Sequence, residues 1–147
     1  MKEILLSDRI AYRDGFLYQL SEEYIHQLGG NLDNIPVGVL TEWLCLTQAG
    51  VLTIKQGYAW NGGNFPARDT KNAMRAYLVH DAGYQLTRFG LLSRDIWRPR
   101  WDKEFKRVLR EDKVSRFRAW YLHHGVRIGG RKAASASGIR PVLHAPK

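Results

Sequence analysis

The sequence predicts an α+β protein in which a small antiparallel sheet from the N-terminal half packs against about three C-terminal helices. Residues 1–60 hold short apolar runs separated by turn residues, whereas the chain after residue 70 shows helical spacing of its apolar residues. The 147 residues, 44% of them hydrophobic, suffice for one domain with its own core. We therefore expect a single domain over residues 1–130 and a flexible basic tail over residues 131–147.

Two hairpins are predicted in the first half. Residues 9–13 and 16–20 flank Asp14-Gly15, a dipeptide that suits a two-residue type I′ turn. Residues 43–47 and 51–55 flank a second turn.

Two further segments of this half are less regular in pattern. Residues 21–28 fit either a helical turn or another strand. Residues 57–69 are predicted to be irregular, because Gly62-Gly63 permits unusual backbone angles and Pro66 lacks a hydrogen-bond donor.

Three helices are predicted after this loop. The first runs from about Thr70 to Thr87, with Asp69 or Thr70 as its cap. The second covers about residues 101–110 and the third about residues 114–124. Gly129-Gly130 is expected to close the third helix.

The charge balance is strongly basic, with 23 Lys and Arg against 14 Asp and Glu, a net charge of +9. Such a surface attracts nucleic acid, an anionic membrane or an acidic protein, although it also serves solubility alone. The single cysteine, Cys45, excludes an internal disulfide framework. No apolar run is long enough for a signal peptide or a transmembrane segment.

The segment from Ala73 to Tyr84 carries the first candidate site. At about 100° per residue, His80 and Asp81 fall on the same inward stripe as Tyr77 and Tyr84. Ionisable side chains on an apolar stripe must find partners, because their desolvation is costly.

A second predicted helix supplies a partner, Asp102, which lies within an apolar face. Asp102 would accept a hydrogen bond from His80, and the other ring nitrogen of His80 would deprotonate water. Asp81 could bind a hard cation together with oxygen atoms of the Gly-rich loop, for which we select Asn61 and Gly63. Tyr84 and Asn64 are expected to support the site.

A structural interpretation of the same residues stays open. His80 could be a core histidine with satisfied hydrogen bonds, and Gly62-Gly63 could make only a tight turn. Asp81 and Asp102 could pair with nearby arginines, for which the candidates are Arg75, Arg88 and Arg98.

Four motifs together resemble a family. They are the loop Gly57–Pro66, His80-Asp-Ala-Gly-Tyr84, Trp101-Asp-Lys-Glu-Phe105 and His124-Gly-Val-Arg-Ile-Gly129. This set, which covers residues 55–130, resembles the DUF1353 family of phage and bacterial proteins, a domain of unknown function. Asn61 stands where that family usually has Asp, and Asn64 where it usually has Ser.

The two motif-bearing helices also look like the catalytic helices of secreted phospholipases A(2). That resemblance implies that His80 is the base, Asp81 the calcium ligand and Asp102 the acid that orients His80, with Tyr84 as a buttress. It does not extend to the disulfides that staple those enzymes, since this chain has one cysteine.

Three hypotheses of function follow. The first is a phage-encoded, calcium-assisted hydrolase of ester or acyl bonds in the host envelope. The second is a non-enzymatic virion or assembly protein whose His/Asp network is structural and whose basic tail docks on a phage structural protein. The third is nucleic-acid binding through the basic residues between Arg94 and Arg118. The resemblance implies a location in the host cytoplasm or in the phage virion.

Overall fold

The computed structural model describes residues 10–12, 17–62, 70–134 and 141–145. The architecture is α+β as predicted, with strands in the N-terminal half and three helices after them. The strands in chain order are β1 Ile10–Tyr12, β2 Tyr18–Gln19, β3 Tyr24–Gln27, β4 Val39–Leu40, β5 Leu44–Leu46, β6 Val51–Ile54, β7 Ala59–Trp60 and β8 Leu143–Ala145. The helices are α1 Lys71–Arg88, α2 Arg94–Glu111 and α3 Arg116–Ala133.

The main sheet has four antiparallel strands in the order β3-β6-β5-β4. The predicted hairpin of residues 43–55 is confirmed as β5 and β6, and residues 21–28 contribute a strand, β3. Alternate residues of β5 and β6 are buried, because one face of the sheet covers the core. These core residues are Leu44, Leu46, Leu52 and Ile54.

The first predicted hairpin is wrong. β1 pairs with β8 and β2 pairs with β7, so the two predicted arms do not pair with each other. The proposed turn Asp14-Gly15 lies outside the described residues. The prediction for residues 57–69 is wrong at Ala59–Trp60, which forms β7. A local turn signal cannot reveal pairing with a strand about forty residues away, because that pairing depends on the packed core.

The start of α1 agrees with the prediction, whereas the start of α2 does not. α1 starts after Thr70, as predicted. α2 starts seven residues earlier than predicted, with Ser93 before it and Pro99 inside it. Pro99 removes one helical hydrogen bond, and burial of Trp97 and Trp101 on either side offsets that loss.

The third helix also runs further than predicted. Gly129-Gly130 does not end α3, which continues to Ala133. The predicted tail therefore begins with helical residues, and its other described segment holds β8, which pairs with β1. The flexibility of residues 131–147 stays a prediction for the part outside the described residues.

α1 lies between two apolar clusters. One cluster joins the main sheet to α1 and includes Ile54, Leu86 and Trp101. The other joins the three helices and includes Tyr77 and Phe105. Helix α1 is therefore buried along most of its length, and polar residues in its middle have to be satisfied inside the protein. Among the helices described, none combines the length and the apolar character needed to cross a membrane.

Candidate functional site

His80 and Asp102 meet where α1 packs on α2. Nε2 of His80 lies 2.7 Å from Oδ1 of Asp102. When His80 is neutral, the proton that serves this bond sits on Nε2 and leaves the lone pair on Nδ1. Nδ1 has no hydrogen-bond partner among the residues that the structure describes. The predicted pairing of His80 with Asp102 is therefore present.

Asp102 is fully buried and accepts two further hydrogen bonds. The Tyr84 hydroxyl donates to Oδ1 at 2.5 Å, and Nη1 of Arg127 donates to Oδ2 at 2.8 Å. Burial alone would favour a neutral carboxyl, but the hydrogen bonds from His80, Tyr84 and Arg127 outweigh it and lower the pKa of Asp102. Asp102 therefore stays ionised, and burial together with this carboxylate raises the pKa of Tyr84.

Aromatic rings fix the orientation of the His80 imidazole. Its centroid lies 4.0 Å from the ring of Tyr84 and 5.1 Å from the ring of Phe105. His80 is 5% exposed. The imidazole is therefore held between two rings and a carboxylate, which is the kind of preorganisation that a general base requires.

Asp81 faces the Gly-rich loop instead of Asp102. Its Oδ2 accepts the backbone N–H of Asn61 at 3.4 Å. The side-chain oxygen of Asn61 in turn accepts the N–H of Leu17 at 3.1 Å, which ties the loop to the start of β2. Burial raises the pKa of Asp81 to about 6, against the opposing effects of His80 and of the loop N–H groups.

The described residues around Asp81 do not fit a calcium ion. Calcium takes six to eight oxygen ligands, whereas the loop directs N–H groups at this carboxylate. Within the described ranges, no group of three His, Cys, Asp or Glu side chains is placed to hold a metal. Gly63 and Asn64 lie outside the described residues, so their predicted roles stay predictions.

The sequence alone did not assign a role to α3. Arg127 binds Asp102, and a main-chain carbonyl of the same residue accepts a hydrogen bond from Arg98. Arg127 belongs to the last of the four sequence motifs, which singled this residue out. The sequence did not show that its partner is Asp102. Arg75, which was a predicted alternative partner of Asp81 or Asp102, instead forms ion pairs with Asp112 at 2.7 Å and with Glu111 at 2.9 Å.

A second histidine–carboxylate network was not predicted. His26 Nε2 lies 3.0 Å from Oε1 of Glu104, and His26 Nδ1 lies 2.9 Å from the hydroxyl of Tyr24. Glu104 also accepts the N–H of Gly29 and hydrogen bonds from Arg107. Both ring nitrogens of His26 are thus occupied, and this network joins β3 to α2 as a structural element.

Glu104 also borders a cavity of about 450 Å³ between α2 and the loop after β3. The walls include Trp97, Arg100 and Trp101. At about 100° per residue these residues lie on a different side of α2 from Asp102, so the cavity is separate from the His80 site.

Comparison with models of known families, with curated proteins and with solved structures gives no match. The function must therefore be inferred from the site itself.

Proposed function

We propose that this protein is a hydrolase of ester or related acyl bonds in which His80 is the general base and Asp102 orients it. The observation that carries the proposal is the 2.7 Å contact between His80 Nε2 and Asp102 Oδ1, with Nδ1 left without a partner among the described residues. A base must present one nitrogen to water while the other is held in a fixed tautomer.

The reaction needs only water as a co-substrate. Nδ1 of His80 takes a proton from water while the water oxygen bonds to the carbonyl carbon. The resulting imidazolium is stabilised by the ionised Asp102. Collapse of the tetrahedral intermediate breaks the carbon–oxygen bond of the ester, and the departing alkoxide takes the proton from Nδ1. The products are a carboxylic acid and an alcohol.

Two acids in opposite environments support an enzymatic role. Burial raises the pKa of Asp81, whereas the hydrogen bonds around Asp102 lower its pKa against the effect of burial. Neighbouring ionisable groups with opposed shifts are frequent at catalytic sites. Since the described residues around Asp81 do not fit Ca²⁺, no step above passes through a metal.

The substrate class comes from the resemblance. The phospholipase-like order of His80, Asp81, Tyr84 and Asp102 favours an ester of the host envelope, and the likeness to DUF1353 favours a phage origin. The contact of Asp102 with His80 supports the orienting role that the phospholipase resemblance implies, and the hydrogen bond from Tyr84 to the same carboxylate is compatible with a buttressing role for Tyr84.

Turnover of a soluble nitrophenyl ester and of phosphatidylglycerol vesicles tests this proposal. Each substrate is assayed with added calcium and with a chelator. We expect His80→Ala to abolish turnover, because it removes the base. Asp102→Asn should lower turnover by about a hundredfold or more, because the carboxylate that fixes the His80 tautomer and stabilises the imidazolium is lost. His144→Ala is the matched control, since His144 is exposed on β8. Absence of turnover in the wild type on both substrates, with and without calcium, would refute hydrolysis.

A structural role is the second candidate, and the burial of the network favours it. Asp102 has no exposed surface, and three donors satisfy it. In that case the protein is a phage virion or assembly component, and its basic C-terminal residues bind a phage structural protein.

A truncation from residue 131 does not test this docking cleanly, because it removes the end of α3 and the partner of β1. Substitution of Arg140 and Lys147 by Gln keeps the chain intact. Loss of co-sedimentation with phage particles in this variant, with an unchanged melting temperature, would support the structural candidate.

A further inference from the structure

Helix α3 carries an apolar stripe on its solvent side. Phe117 is 76% exposed, Trp120 51%, Tyr121 39% and Ile128 83%. At about 100° per residue these four residues fall within an arc of about 100°, over about 16 Å of helix. We call them the α3 stripe.

The opposite side of α3 is apolar as well. Ala119 and Leu122 are buried against the other helices. A surface helix normally has one apolar face, and a second exposed one indicates an interaction site. Two members of the stripe contact each other, because the rings of Phe117 and Trp120 stack with centroids 6.2 Å apart.

Positive charge flanks the α3 stripe on both sides. Arg116 and Arg127 lie about 80–100° to one side of Phe117, and Arg118 lies about 100° to the other. From Lys113 to Lys147 the sequence contains no Asp or Glu. The stripe is therefore an apolar strip between cations, with no acidic residue on its helix.

We propose that the α3 stripe docks on the surface of an anionic lipid bilayer. Helices that lie in a membrane interface combine exposed aromatic and aliphatic residues with flanking Lys and Arg. In this arrangement α3 lies parallel to the surface, the stripe enters the boundary between headgroups and acyl chains, and the positive charge beside the stripe faces anionic headgroups while Arg127 keeps its bond to Asp102.

Two other occupants fit the surface less well. A second copy of this chain would bring two acid-free arginine flanks together, and like charges across an interface are unfavourable. A nucleic acid would satisfy the arginines and stack on the rings, but Ile128, the most exposed member, has no ring to offer a base. A bilayer accepts the aromatic and the aliphatic members alike.

Docking through α3 does not require that His80 be catalytic. Arg127 nevertheless connects the two features, since it flanks the stripe and binds Asp102 at 2.8 Å. A membrane-bound α3 would hold the His80 site close to the bilayer.

Vesicle sedimentation tests the proposal with the full chain. The probes are vesicles of equimolar phosphatidylglycerol and phosphatidylcholine, and vesicles of phosphatidylcholine alone. We expect the wild type to bind the anionic vesicles more tightly and to lose affinity as salt screens the arginines. The double variant Phe117→Ser/Ile128→Ser should bind at least about tenfold more weakly, because both side chains lose the burial that they gain in the interface.

A matched control uses exposed apolar residues elsewhere. Val37, just before β4, is 82% exposed, and Leu40, within β4, is 60% exposed. Both lie outside α3. The variant Val37→Ser/Leu40→Ser should bind the anionic vesicles as the wild type does. Circular dichroism and the melting temperature verify that both double variants fold.

Trp120 provides a second readout. In a Trp43→Phe background it is the one tryptophan in the described ranges that is more than a tenth exposed. We expect its emission to shift to the blue with anionic vesicles.

Several results would overturn membrane docking. They are no binding by the wild type, equal binding by Phe117→Ser/Ile128→Ser, and an unshifted Trp120 emission. A change from dimer to monomer in that variant would assign the stripe to a second copy, and selective loss of binding to single-stranded DNA would assign it to nucleic acid.

Discussion

Gly130 of α3 lies against the hydroxyl group of Tyr84 in α1. A Cβ atom at position 130 would come within 2.6 Å of that oxygen. The same hydroxyl is 2.5 Å from Oδ1 of Asp102. Gly130 therefore lets α3 approach closely enough for Arg127, one turn earlier, to reach the other carboxylate oxygen of Asp102. The glycine serves helix packing here and does not end the helix.

The first prediction concerns this contact. Gly130→Ala should lower the free energy of unfolding by about 1–3 kcal/mol, because the added methyl group must displace Tyr84 or α3. Gly125→Ala is the matched control, since nothing lies within 4 Å of a Cβ at that position. The control should be neutral or stabilising by up to about 1 kcal/mol, because alanine favours helix over glycine. Urea unfolding of both variants measures the difference, and equal effects would contradict the proposed close approach.

A second prediction concerns Gly83, which lies under the indole of Trp101. A Cβ at position 83 would lie 2.1 Å from a ring atom of this buried side chain. Gly83→Ala should therefore cost about 3 kcal/mol or more of stability. In a double-mutant cycle, Trp101→Leu should recover at least about 1 kcal/mol of that loss, because the smaller side chain makes room. Strictly additive effects would show that there is no steric conflict between the side chains at positions 83 and 101.

The third prediction follows from Asp81. Burial raises its pKa in the folded protein to about 6, above its unfolded value. Between about pH 4 and pH 6 the folded state therefore binds more protons than the unfolded state, and stability falls as pH rises. Asp81→Asn should remove this cost and raise the free energy of unfolding at pH 7 by up to about 3 kcal/mol. The gain should vanish below about pH 4.

Denaturant titrations across this pH range measure the effect. A gain in stability would show that the ionised Asp81 destabilises the folded state at neutral pH. Asp102→Asn serves as the opposite case, because its three hydrogen bonds favour the ionised form, and it should destabilise the protein at pH 7. A loss of stability in Asp81→Asn at pH 7 would contradict the raised pKa.

Glu104 gives the fourth prediction, with the opposite sign. Burial favours its neutral form, but hydrogen bonds from His26, Arg107 and the Gly29 N–H outweigh it and lower its pKa to about 2. Its contribution is therefore present above about pH 4.5 and is lost as pH falls toward 2. Glu104→Gln should lose about 3 kcal/mol at pH 7 and show a flatter decline in stability with acid.

A control for this residue is Glu111→Gln. Glu111 shares the partner Arg107 at 2.8 Å, but it is half exposed, so solvent screens the interaction. Its substitution should cost clearly less than that of Glu104. Equal costs at pH 7 would show that burial of Glu104 does not strengthen its hydrogen bonds.

Much of the helical half could be predicted from periodicity. The spacing of Trp101, Asp102 and Phe105 placed all three on an inward face, and all three are buried. The same reasoning placed Tyr77, His80 and Tyr84 on the inward stripe of α1, where they are buried as well. Periodicity works here because burial on one side of a helix imposes its repeat directly on the sequence.

Periodicity was less informative for α3. Its most regular aromatic pattern, from Phe117 to His124, faces solvent, and the buried side is lined by smaller residues such as Ala119. An exposed apolar stripe and a buried one have the same spacing, so the sequence cannot tell which of them meets the core.

The sequence by itself determined the α+β order, the hairpin of β5 and β6, and the inward placement of His80 and Asp102, because each depends on a local repeat; their pairing was predicted because burial forces polar residues to find partners. Only the tertiary structure decided that β1 pairs with β8, that Arg127 completes the shell of Asp102 and that His26 joins Glu104. These contacts link residues 25 to 135 positions apart. They form where elements distant in sequence pack against each other, and no local pattern in the chain shows which residues will meet there.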